Sequence, residues 1–381
     1  MMKNQIKNNR GVALFMTLAL ISVLTAAALE IGRRAGKAAS RSAVALELFQ
    51  ARQTAWSGIQ LAMGILAADA EKNDIDSLQE NWASPEKLAM AVAALEMPLG
   101  TLTLSITDEL GKIQVNALLD AYPGNAFNEN QRKLWERMLD LLISGDKSQD
   151  DRDPAEVINS LKDWLDSGDD DAVTGVSGAE ADYYEALDPP VHCTNGPLTT
   201  LDELCFVKGI SDNFLQWGKA ALESESELGS GVELEQMDDS LDLGQFFSVH
   251  GMADTDEKKG RFSFPGTINI NTAGPEVLSF MLPSGMEDEA SALVDFRLEQ
   301  EPDSDGFINA LDKGWYEQVI QLSGKEKQAF ENIVTYSSHL FRATAVADVN
   351  GHAITLTGII KRKKQEKTGA WSCRLLELLD K

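Results

Sequence analysis

Residues 12–29 are eighteen consecutive positions without a charge, apolar except for Thr17, Ser22 and Thr25. As a helix this run measures about 27 Å, close to the thickness of a bilayer's hydrocarbon core. It follows Lys3, Lys7, Arg10 and Gly11, and a basic flank of that kind favours the cytoplasmic side. Arg33, Arg34, Lys37 and Arg41 lie just beyond the run, so charge alone leaves the orientation open. A secretory signal with its cleavage site at Ala26-Ala27-Ala28 is the competing reading. Against it, helix-compatible sequence continues without proline to Ala68, with Ala45, Leu48, Ala55, Ile59, Ala62 and Leu66 near helical spacing. The spacing predicts one helix over 12–68, about 85 Å long, which would raise a domain above a membrane.

The remaining chain is long enough for two units, since single cores stop growing near roughly 250–300 residues. Sixty acidic residues against 34 basic ones leave a net charge of −26, which repels nucleic-acid phosphates and anionic lipid and attracts cations or basic partners. Strand-like alternation is predicted at 99–106, at 113–116 and again at 268–271, where Gly266-Thr-Ile-Asn-Ile-Asn271 repeats the earlier phrase Gly111-Lys-Ile-Gln-Val-Asn116. Helices are expected at 131–143, 155–165, 199–208 and 212–222, and a single longer one at 275–300 that opens on Gly274-Pro275-Glu276. Strands at 341–349 and 352–360 flank Asn350-Gly351, a strong hairpin signal, and 371–379 supplies a third. Residues 223–244 carry eight acids and no base, which predicts a surface segment. Lys361-Arg-Lys-Lys364 reads as a solvated strand end and turn.

A basic leader ending in glycine, then an apolar helix continuing into an amphipathic one, resembles the type IV pilin and pseudopilin signature. Three further phrases, Asp163-Trp-Leu-Asp166, Gly178-Ala-Glu-Ala-Asp-Tyr-Tyr184 and Ile268-Asn-Ile-Asn-Thr-Ala273, make nearly the whole chain similar to the protein K family of minor pseudopilins in type II secretion. That resemblance implies an α+β pilin-like fold, a long N-terminal transmembrane helix on an antiparallel sheet, with a large inserted all-α domain. The expected division is a prepilin leader at 1–11, the membrane and stalk helix at 12–68, pilin-like parts at 69–116 and 266–381, and the helical insert with its acidic loop at 117–265. It implies prepilin peptidase cleavage between Gly11 and Val12, methylation of the new terminus, and a periplasmic domain held on the inner membrane by a single pass. Its implied partners are minor pseudopilins I, J and H, the major pseudopilin and secreted cargo, with no nucleic acid. Pilins usually carry Glu at the fifth mature residue, whereas Met16 stands here. A buried Glu is tolerable when it pairs with a neighbour's terminal ammonium, so a subunit without it needs no such neighbour and suits a tip.

Between 163 and 185 eight acids occur without a base. The resemblance implies structural Ca²⁺ there, with Asp166, Asp169, Asp170, Glu180 and Asp182 as candidate ligands and Asp163 bracing a helix end; a solvated acidic loop is the plainer alternative. Cys193 and Cys205 flank a short Pro/Gly-containing stretch, so one disulfide between them is expected, with Cys373 left over; buried free thiols account for the same residues. His192, His250, His339 and His352 are scattered and form no catalytic motif, which argues against an enzyme. A helix-hairpin-helix nucleic-acid module is the alternative function, suggested by Ile-Asn-Thr-Ala followed by a helix and Leu282-Pro-Ser-Gly285. Its region, 275–305, holds nine acids and only Arg297 as a base.

Overall fold

The computed structural model describes residues 10–97, 100–145, 153–168, 173–175, 177–210, 243–253, 260–302 and 306–380. One helix, α1 (Arg10–Asp69), runs through both halves of the predicted stalk. It is long and apolar enough to cross a membrane, and none of its most apolar stretch is buried. The second half is different. Ala51, Ala55, Ile59, Ala62 and Leu66 recur at intervals of three and four and are all fully buried against a sheet.

That sheet has four antiparallel strands in the order β1 (Thr101–Asp108), β6 (Leu340–Val349), β7 (His352–Lys364) and β8 (Trp371–Asp380). Burial alternates along β1, so Leu102, Leu104 and Ile106 face α1 while Thr103 and Ser105 between them face out. On β6 the matching positions are Ala343, Ala345 and Ala347, a strip of small side chains that lets the helix approach closely. At the contact, a Cβ added to Gly58 would lie 2.9 Å from that of Ala345. Asn350 and Gly351 both have positive φ, 54° and 84°, as a two-residue turn matched to strand twist requires. The hairpin expected from Asn-Gly forms with Val349 opposite His352.

The chain leaves this sheet after Asp108 and re-enters it at Leu340, so the insert occupies 109–339 rather than 117–265. A separate apolar core runs from Ile113 to Ile333 and includes Trp135, Trp164, Tyr184, Leu278 and Trp315. The apolar side chains of 266–339 thus belong to the insert's core and not to the one between α1 and the sheet. The insert is also not purely helical: β2 (Ile113–Gln114) pairs in parallel with β3 (Phe247–Ser248), and β4 (Ile268–Asn269) with β5 (Val334–Thr335). The two repeated phrases therefore start two similar units, each closed by a strand from its own far end.

Before β1, α2 (Pro85–Ala93) adds Leu88 and Val92 to the core against the sheet. Among the described residues, the helices of the insert are α3 (Glu129–Gly145), α4 (Pro154–Leu165), α5 (Ala181–Glu185), α6 (Pro275–Met281), α7 (Glu289–Leu298) and α8 (Gly324–Glu331). The single helix expected over 275–300 is broken into α6 and α7 at Pro283 and at Gly285, which has φ 87°. The stretch predicted as a helix at 199–208 contains instead a short 3-10 turn, Leu201–Phe206, held by a Thr200–Glu203 capping box. The predicted helix at 212–222 and nearly all of the acidic segment 223–244 lie outside the described residues.

Candidate functional site

The acidic cluster is organised by the end of α4. Asp153 caps its start by accepting from Ala155 N, Pro154 occupies the first turn, and Val157, Ile158, Leu161, Trp164 and Leu165 bury the apolar face. With that face fixed, Asp163 is carried inward with no exposure, and Asp166 caps the far end at 4 % exposed. Glu180, immediately before α5, is 8 % exposed and joins them. One carboxylate oxygen from each of Asp163, Asp166 and Glu180 lies within 4.8 Å of the others. Asp163 is thus part of the cluster and not merely a helix brace. Asp182 projects from the exposed side of α5, outside this trio, and Asp169 and Asp170 lie outside the described residues.

The local charge is only partly met. Lys162 Nζ sits 2.8 Å from Asp166 Oδ2 and 3.9 Å from Asp163 Oδ1, and it also donates to Thr174 Oγ1. Thr174 N and Gly168 N donate to Asp163 and Asp166. Burial pushes the Asp163 carboxyl above the usual range despite these donors. Gly178 packs so closely that a Cβ there would clash with Asp163 Oδ2 and lie 2.9 Å from the Thr174 carbonyl. Three buried carboxylates, a nearby carbonyl and one ammonium form an oxygen-rich cradle with a residual negative charge, the donor set a hard divalent cation takes.

Beside this cradle, Cys193 is buried, with Sγ 3.9 Å from the Trp164 carbonyl, and burial raises its thiol to about 11. Cys205 is exposed, and the expected Cys193–Cys205 bridge does not form. The physical reason is packing: Cys193 fills the Trp164–Tyr184 core as a small apolar residue, while Cys205 sits on the outer side of the 3-10 turn.

A second carboxylate trio, Asp69, Asp76 and Glu80, lies where α1 ends. Sequence reasoning missed it because its acids are dispersed in ordinary polar sequence. Its charge is answered internally: Arg362 Nη2 lies 2.5 Å from Asp76 Oδ1, Arg362 Nη1 is 3.7 Å from Asp69, and Glu80 accepts from Trp82 Nε1 at 2.8 Å. Close by, Asp108 accepts from Ser338, Thr272 and Asn269 side chains, and Asn269 also donates to the Asp76 carbonyl. This buried network ties the insert to the sheet.

The hairpin between α6 and α7 has used up the groups a nucleic acid would need. Gly285 N donates to both oxygens of Glu287, at 2.9 and 2.8 Å. Arg297, 2 % exposed, donates to the carbonyls of Ile270 and Ala273 and so pins the Ile-Asn-Thr-Ala turn. The hairpin is a packing device here, and the nucleic-acid alternative has no support.

Residues 111–217 match the sequence profile described as type II secretion system (T2SS), protein K. That span contains the whole cradle. The chain is 25 % identical over 217 residues to a putative type II secretion system protein K of Escherichia coli K12, covering 54 % of this chain and 60 % of that protein. It is 27 % identical over 212 residues to type II secretion system protein K of Pectobacterium carotovorum, covering 54 % and 59 %. The chain thus spans about 60 % of the length of these relatives. Among solved structures, the GspK-GspI-GspJ complex from the type 2 secretion system of enterotoxigenic Escherichia coli contains a chain with a similar fold. The TM-score is 0.57 at 16 % identity, over 90 % of this chain and 99 % of that one.

Proposed function

We propose that this chain, a member of the type II secretion system protein K family, is a minor pseudopilin that caps a pseudopilus used to export folded proteins across the outer membrane. The observation that carries this reading is the single helix α1, whose first half is apolar and exposed and whose second half carries a sheet. The insert joins near the end of α1 remote from the apolar half, where Arg362 of β7 donates to the Leu66 carbonyl and to the Ser338 carbonyl of the insert. A mass placed there would obstruct subunits stacked above it, and Met16 removes the charge that a neighbour's terminus would meet. The proposed partners are minor pseudopilins I, J and H and the major pseudopilin. I and J have counterparts in the complex named for the structural relative. The apolar half of α1 would cross the inner membrane, leaving the rest in the periplasm. Prepilin peptidase would cut between Gly11 and Val12, and methylation would follow. N-terminal sequencing of membrane-extracted protein tests this: the expected mature end is Val12, and an end near Leu29 would refute the stalk.

The cradle of Asp163, Asp166 and Glu180 fits structural Ca²⁺, which would join the ends of α4 and α5 and offset carboxylate repulsion. A cation bound only by the folded form stabilises by about 2.7 kcal/mol at a hundredfold excess over Kd. Chelation should therefore lower the melting temperature, and Ca²⁺ should restore it better than Mg²⁺. In Gly178→Ala the new Cβ would clash with Asp163 Oδ2 and displace that carboxylate, so that response should be lost. Melts of wild type insensitive to both chelator and calcium would leave only a buried acidic cluster.

A further inference from the structure

Between its apolar run and the sheet, α1 changes character. From Glu30 to Leu46 it carries Arg33, Arg34, Lys37 and Arg41 with Glu30 as the one acid, in a chain whose net charge is −26. Every position from 31 to 46 is exposed, so no described part of the protein packs on this stretch. At about 3.6 residues per turn the four cations share an arc of about 100°. The opposite side of the helix holds Gly32, Ala35, Gly36, Ala39 and Ala43, and a Cβ on either glycine would meet nothing within 4 Å. Small side chains in that arrangement suit the close approach of another helix, which leaves the cationic arc for a different contact.

Helix geometry sets the height of these charges above a bilayer. From Leu29, the last residue of the apolar run, a rise of about 1.5 Å per residue puts the Cα atoms of Arg33, Lys37 and Arg41 about 6, 12 and 18 Å out. Helical side chains lean toward the N-terminus, here toward the membrane, which lowers each charge by about one turn. A headgroup layer is about 5–8 Å thick, so Arg33, Arg34 and Lys37 reach it, and Arg41 stays within a Debye length of about 8 Å. Glu30 stands at the hydrocarbon boundary and bonds Arg33 and Arg34, each at 2.7 Å, which draws both guanidiniums to the membrane side. Topology disfavours cations on an exported flank. Lys3, Lys7 and Arg10 balance them from the other side of the run, but cleavage after Gly11 would remove all three.

We propose that the arc of Arg33, Arg34, Lys37 and Arg41 binds anionic phospholipid headgroups in the leaflet from which the folded domain emerges, and so fixes the depth of the subunit in the bilayer. The inference rests on 12–29 crossing that bilayer. Its occupant follows from continuity: the arc begins four residues beyond the apolar run, at a height where lipid phosphates are the resident anions. An acidic helix of a neighbouring subunit would have to lie in the same layer and compete there with lipid.

Native mass spectrometry of full-length protein from mixed micelles of phosphatidylglycerol and phosphatidylcholine tests the proposal. We expect phosphatidylglycerol to be retained over phosphatidylcholine by about tenfold or more, since each cation near a charged surface is worth about fivefold. Lys37→Gln with Arg41→Gln should cut that preference about fivefold, and adding Arg33→Gln and Arg34→Gln should abolish it. Melting should not change, because all four positions are exposed and outside the apolar cores. Glycerol phosphate, the headgroup without its chains, should not displace the lipid; displacement would mean a site for soluble phosphate and overturn the proposal. Equal retention of the two lipids, the result expected if the arc meets a neighbour's acidic helix, would overturn it as well, as would a preference untouched by the substitutions. Alkaline carbonate extraction of membranes separates the two levels of failure. Release of the wild-type protein would remove the membrane-spanning reading and this inference with it, whereas retention together with equal lipid binding would remove the inference alone.

Discussion

Replacing Arg362 with methionine should destabilise the folded protein by about 3–5 kcal/mol, the usual cost of stripping one partner from a buried ion pair. The guanidinium is 5 % exposed and serves three elements at once. It bonds Asp76 at 2.5 Å and the Ser338 carbonyl at 2.8 Å, and it reaches the Leu66 carbonyl near the end of α1. It also lies over the Phe341 and Trp371 rings, at 4.9 and 5.5 Å from their centroids. Methionine keeps much of the packing volume and removes the charge, so Asp76, 2 % exposed, is left buried without its counter-ion. Asp76→Asn in the same background should recover a large part of the loss, because the carboxylate that lacked a partner is then gone. Urea denaturation of the three variants reads this directly. A loss below about 1 kcal/mol for Arg362→Met, or no recovery in the double variant, would show that the pair does not hold the joint.

Arg362 also shows why part of the fold was legible in sequence and part was not. The long helix announced itself because sixty residues without a proline have few alternatives, and Asn350-Gly351 determined a hairpin because few residues accept two positive φ values in succession. Lys361-Arg-Lys-Lys364 looked like one solvated patch because charge was read along the chain. A strand's period of two divides that patch, placing Arg362 in the core and its neighbours on the other face. The insert's limits were misplaced for a related reason. Ile268-Asn-Ile-Asn271 resembles a strand returning to the main sheet, but its two paired residues find Val334 and Thr335 within the insert, and a partner 66 positions away leaves no local signal. Of the candidate ligands, Asp166 and Glu180 converge, and Asp163 joins them because the apolar face of α4 dictates its direction. Asp182 follows α5 outward.

Folding stability should fall as pH rises from about 4 to about 6, and Asp108 should account for much of that fall. Its side chain is buried, with no cation among its hydrogen-bond partners, and burial raises its pKa from the ordinary 3.8 to about 6, outweighing donors from Ser338, Thr272, Leu110 and Asn269. A folded-state pKa above the unfolded one means that the folded state binds more protons in this window. Its contribution is therefore complete near pH 4 and lost as pH climbs through 6. The difference corresponds to roughly 3 kcal/mol. Asp69, Asp76 and Glu80 at the same joint are displaced upward by burial too, and act in the same direction. Glu109, the next residue, has the opposite sign. Burial pushes it up, but Lys112 and Arg342 outweigh burial and hold it at about 2 instead of 4.5, so its contribution is present above pH 4.5 and is lost as pH falls toward 2. The joint between insert and sheet should accordingly be firmest near pH 4–5, between the two titrations. Melts measured across pH 3–8 in chelator, which removes any calcium contribution, should show that maximum in wild type. In Asp108→Asn the limb between pH 4 and 6 should flatten while the acid limb from Glu109 remains. An unchanged slope in that variant would assign the pH dependence to other carboxylates and leave Asp108 ionised within its ring of donors.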